Sequence, residues 1–154
     1  MYRRLKVNLG KNKDATFTAG EVMKKGMFVV KDYANGEVNL PAAATGTNVF
    51  IVDFDPDYVD FLSVRTNVSD YEDVMNDIAD GAKVSLELLE VGEEYATDQF
   101  VATDIVVGSA LSVNDEGKLV KKATGTSPLV ATDIAYNDAG HTLLAFTVTE
   151  NPFA

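Results

Sequence analysis

The chain has 154 residues, no cysteine and a formal charge of −11, with 46% hydrophobic and 24% charged residues. This is the composition of an ordinary domain with its own core; it excludes disulfides and thiol chemistry and argues against a phosphate-backbone partner. No apolar run approaches the ~18 residues of a membrane helix, and no signal-peptide core follows the early charges, so the reading is a soluble protein with neither membrane nor direct nucleic-acid partner.

The charge is unevenly placed. Arg3, Arg4, Lys6, Lys11 and Lys13 precede the first acid, which leaves 8 basic against 24 acidic side chains for the rest of the chain. Residues 1–14 therefore read as a basic N-terminal arm, able to dock an acidic partner or another copy, or merely solvated.

After the arm, residues 15–18 alternate as a strand and Ala19-Gly20 turns it. Met27–Val30 and Glu37–Leu40 flank an Asn35-Gly36 turn, and Pro41 ends the second strand. Asn48–Phe54 (NVFIVDF) is the strongest strand of the first half, and Val59–Thr66 follows it. Ser69 caps a predicted helix over 70–79. Glu72 completes a capping box, Tyr71, Val74, Met75 and Ile78 share one face, and Gly81 stops it. Lys83–Val91 returns to strand, with Val84, Leu86 and Leu88 facing one way and Ser85 and Glu87 the other. Tyr95–Val101 is a further strand, and Thr142–Glu150 closes the chain.

One pattern occurs twice. Gly26–Asp53 and Gly108–Asp133 each run glycine, apolar strand, polar turn with glycine, second strand, Ala-Thr-Gly-Thr, third apolar strand, aspartate. The predicted fold class is accordingly mainly β, sandwich- or barrel-like, with two pseudo-repeated β-modules at 15–66 and 98–150 forming one compact unit. The segment 67–97, with its helix, is an insertion between them.

Chemistry is sparse. His141, the only histidine, sits by the last hairpin and reads as a turn residue; no nucleophile elbow, phosphate loop or dinucleotide fingerprint accompanies it. Asp53, Asp55 and Asp57, with Asp60 beyond, place carboxylates on one side of an extended strand and are weak candidates for a hard cation. The EF-hand positions that need glycine and glutamate hold Tyr58 and Val64. In the second copy only Asp133 recurs, so a metal is not needed to build the module. The expectation is no enzyme, no cofactor and no metal.

The linear order resembles that of the capsid decoration, or cement, proteins of tailed bacteriophages. The likeness is carried by Ala19-Gly20-Glu21-Val22-Met23-Lys24-Lys25-Gly26, by Asn35-Gly36-Glu37-Val38 and by the Ala-rich Pro41–Thr47. In the second half it is carried by Val91-Gly92-Glu93-Glu94-Tyr95-Ala96-Thr97 and by Val107-Gly108 through Gly117-Lys118-Leu119-Val120. It spans most of 15–150 as a shared order of elements. The resemblance implies a structural virion protein, made in the host cytoplasm, that binds the major capsid protein on the outer head surface and self-associates there, with a trimer favoured. Arg3, Arg4, Lys6, Lys11 and Lys13 are the expected capsid contacts, together with exposed β-edges. Two alternatives stand beside it: a head-fibre base or tail-associated β-module, and a small calcium- or carbohydrate-binding module.

Overall fold

The computed structural model describes residues 2–6, 13–53, 77–138 and 140–153. In chain order the strands of the first half are β1 (Tyr2–Lys6), β2 (Lys13–Asp14), β3 (Thr18–Ala19), β4 (Met23–Lys24), β5 (Phe28–Asp32), β6 (Glu37–Asn39) and β7 (Phe50–Val52). Those of the second are β8 (Asp77–Ile78), β9 (Leu86–Glu87), β10 (Glu94–Thr97), β11 (Leu111–Val113), β12 (Leu119–Lys121), β13 (Leu129–Asp138) and β14 (His141–Val148). The described residues contain no helix, and the chain is mainly β.

The strands form a six-stranded sheet (β2-β9-β7-β5-β6-β3), a four-stranded sheet (β1-β10-β14-β13) and the pairs β11-β12 and β4-β8. Among the described residues none of these closes into a barrel. Pairing is antiparallel except between β3 and β6. Most of the predicted helix, residues 70–76, lies outside the described residues, as does the strand at Val59–Thr66. The helix's far end is different from expectation: Asp77 and Ile78 are extended and pair with Lys24 and Met23. Ile78 is buried beside Met23. One buried apolar residue meets a helical pattern and a strand pattern equally well, and tertiary pairing decides between them.

The continuous apolar run of β7 has a direct cause. Phe28 of β5 and Ile51 of β7 pack into one cluster with Leu111, Leu119, Leu129, Tyr95 and Phe146. Val29, Phe50 and Val52 pack from the other side with Phe17, Val38, Val84 and Leu86. Successive residues point to opposite faces, so the β5–β7 ladder is buried on both and must be apolar at every position. Phe153 packs against both clusters, with its ring 5.0 Å from that of Phe50. The Lys83–Val91 strand is shorter than expected. Only Leu86 and Glu87 lie in the ladder, and Glu87 is buried along with Leu86 rather than facing solvent.

The repeated pattern is matched bond for bond. Gly26 N donates to Val52 O at 2.7 Å and Gly108 N to Ala131 O at 2.8 Å; Val52 N returns to Met27 O at 2.9 Å and Ala131 N to Ser109 O at 3.0 Å. Both glycines are left-handed, at φ 90° and 85°, closing turns in which Met27 N reaches Lys24 O and Ser109 N reaches Val106 O. Phe28 pairs with Ile51 as Ala110 pairs with Val130. A parallel contact precedes each hairpin: Ala19 lies beside Val38, and Phe100 beside Leu119. Gly20 N then donates to Val38 O and Val101 N to Leu119 O. The two stretches thus share a backbone plan, although β7 continues into the six-stranded sheet and β13 into a long hairpin with β14.

Candidate functional site

The basic arm separates into parts. Tyr2–Lys6 is a strand whose backbone pairs antiparallel with β10, Arg3 opposite Ala96 and Arg4 opposite Tyr95, with an irregularity before Lys6. Arg3, Arg4 and Lys6 therefore belong to a strand that, among the described residues, is an edge of the four-stranded sheet. Lys11 lies outside the described residues.

Lys13 is drawn inward instead. β2 pairs with β9, Lys13 opposite Glu87, and its ammonium forms an ion pair with Asp53 and lies 3.8 Å from Glu87. Lys25 approaches Asp53 from the other side at 3.8 Å. Glu87 is only 2% exposed, and the Lys13 ammonium is the cation shown near its carboxylate; a buried charge needs such a partner. Asp53 is thus committed to ammonium groups. Asp55 and Asp57 lie outside the described residues, and among those described no three acids or histidines gather in metal-binding geometry. His141 opens β14 opposite Asp138.

A second cationic feature went unread in the sequence. Lys31 on β5 holds the Asp14 carboxylate at 2.6 Å, and its ammonium lies 4.7 Å from the Phe17 ring centre and 4.3 Å from that of Phe50. Burial pushes the Asp14 carboxyl up, but the Lys31 ammonium and the Thr16 hydroxyl and amide together hold it below its ordinary range. The pair fastens β2, and with it the end of the basic arm, to the centre of the six-stranded sheet. Four contributors scattered over residues 14–50 leave no local motif, so no window of sequence signals the cage.

The two Ala-Thr-Gly-Thr turns also converge. They flank a groove of about 580 Å³ between the repeated stretches, with Ser112 at its base and Lys122 and Glu150 at its margins. The turns themselves are legible in sequence; their meeting is not. The chain matches no protein-family model, no curated protein and no solved structure.

Proposed function

We propose that this chain is a structural virion protein that binds the outer surface of a bacteriophage capsid and stabilises the head lattice. Its partner is the major capsid protein, with self-association of copies on the shell. The observation that carries the reading, beside the resemblance in element order, is a basic strand that is an edge of its sheet among the described residues, on an otherwise acidic β body. An edge strand offers backbone groups for strand addition and its charge offers orientation, so together they suit docking on a protein lattice. Many copies closing one lattice add their contacts, so each contact is free to be modest.

The test uses expanded phage heads. The protein is expected to co-sediment with them and raise their melting temperature. Because β1 is part of a sheet, deleting residues 1–13 risks the fold. The triple charge reversal Arg3→Glu, Arg4→Glu, Lys6→Glu keeps the strand length and isolates the charge. Loss of co-sedimentation with an unchanged melting temperature of the free protein supports the reading. Full-strength binding by that variant removes the arm from the interface, and absence of binding by the unaltered protein removes the capsid.

A further inference from the structure

The groove between the two Ala-Thr-Gly-Thr turns has the features of a ligand site. Its walls carry the hydroxyls of Thr45, Thr47, Ser112, Thr124, Thr126 and Ser127, and its volume of about 580 Å³ is that of a small-molecule cleft. Ser112 is the telling residue. It is only 7% exposed, it lines the groove, and its hydroxyl has no hydrogen-bond partner among the described residues. A hydroxyl that lines a groove without a protein partner is left to water or to a ligand. Ser127, also buried, spends its oxygen on the Leu129 amide, and Thr45 its oxygen on the Thr47 amide.

Gly46 lies close to the second turn. A Cβ there would lie 2.9 Å from Ser127 Oγ, so a side chain at residue 46 would make the Ser127 hydroxyl shift where the two turns meet. The lining also limits the ligand's chemistry. Lys122, which donates to the Thr126 carbonyl, and Glu150 are the charged residues among the described lining, one of each sign, so the lining has no net charge to favour an anion or a cation. An apolar ligand would strand the hydroxyls without water. Groups that both donate and accept are best met by groups that do the same. We propose that the groove binds a neutral carbohydrate through these hydroxyls, with Ser112 donating or accepting at its floor. Among the described residues no aromatic ring lines the groove, so hydrogen bonds carry the affinity. The site is independent of capsid binding by β1.

The probes are maltose, cellobiose and N,N′-diacetylchitobiose, titrated to about 50 mM into the isotope-labelled full chain while amide correlation spectra are recorded, since a site of this kind lies in the millimolar range. The expected result is saturating shifts at Thr45, Gly46, Ser112 and residues 124–127 with at least one probe. Ser112→Ala is expected to weaken that binding about fivefold while leaving the melting temperature nearly unchanged, because no hydrogen bond to a described residue is lost. Thr124→Val, on the exposed rim, provides a second variant with no structural demand. Three outcomes overturn the proposal: no saturating groove shifts with any sugar, unchanged binding by Ser112→Ala, or groove shifts produced by triglycine and by none of the sugars.

Discussion

The two repeated stretches share a backbone plan and differ in almost everything attached to it. In the first, the turn before the hairpin is Lys24-Lys25-Gly26, and both lysines are used: Lys24 lies 3.2 Å from Asp77 and Lys25 3.8 Å from Asp53. In the second, the same turn is Val106-Val107-Gly108, and the valines stand 58% and 63% exposed. The first hairpin is polar at its tip, where the Asp32 carboxylate accepts from the Asn35 side chain and the Ala34 amide. The second is polar too, with Asn114 Oδ1 accepting from the Glu116 and Lys118 amides. Its Gly117, however, is buried, and Gly117 O receives the Phe28 amide of the first copy at 2.8 Å. Backbone hydrogen bonding maintains the shared plan, while side chains distribute its surroundings between ion pairs, core and surface.

The sharpest way to separate the copies is through their cores. Leu119 and Val38 occupy the same position in the two hairpins and both are fully buried. Leu119→Ala is expected to cost about 3 kcal/mol and Val38→Ala about 2 kcal/mol, in proportion to the atoms removed, as read by urea denaturation. Equal losses would mean that the two clusters differ in how far they collapse, since more atoms leave at Leu119 than at Val38.

The hairpin glycines provide the next contrast. Gly36 and Gly117 have φ of 70° and 71°, yet a Cβ at Gly36 meets nothing within 4 Å, whereas at Gly117 it would lie 2.9 Å from Phe28 O. Gly36→Ala is expected to cost about 1 kcal/mol, the left-handed penalty alone. Gly117→Ala adds a backbone clash and should cost about 2 kcal/mol or more, with the melting temperature as the measurement.

The Lys31 cage has no counterpart described in the second copy. Lys31→Met keeps the stem and removes the charge, and is expected to cost about 1 kcal/mol at neutral pH. Asp14 carries the pH dependence. Its folded value is held below the ordinary 3.8, so its contribution is complete above that value and fades as pH falls through the folded one. The acid limb of the stability profile below pH 3.8 should therefore be shallower in Lys31→Met than in the unaltered protein. Parallel limbs would disconnect Asp14 from Lys31.

The smallest effect concerns the exposed turn. Writing the first copy's residues into the second, Val106→Lys with Val107→Lys, should move stability by no more than about 0.5 kcal/mol, because exposed side chains away from special geometry rarely matter. A larger drop in melting temperature would show that the valines support the fold.

Much of this architecture is open to a reader of the sequence. Alternation, β-branching and glycine-bearing turns identify β5, β6, β7, β11 and β12 because these are local properties of a pleated strand. The duplication is equally visible, since left-handed turn positions that favour glycine recur in it, at Gly26 and Gly108 and at Gly36 and Gly117. Residues 77–78 went the other way, because Ile78 fits a helical stripe until Met23 is placed beside it. Of the acidic candidates only Asp53 lies among the described residues, and its partners are equally remote in sequence. Asp53 lies next to Asp55 and Asp57 in sequence, but in space it is claimed by Lys13 and Lys25, 40 and 28 positions away.

What the sequence determined by itself is therefore the period, the turns and the mainly-β class, all properties of neighbours a few residues apart. Tertiary structure alone decided which charges meet, that Lys31 lies against aromatic rings, and that two copies of one turn face each other across a groove. Those outcomes depend on contacts between distant residues, and they arise only when both faces of the β5–β7 ladder are buried at once.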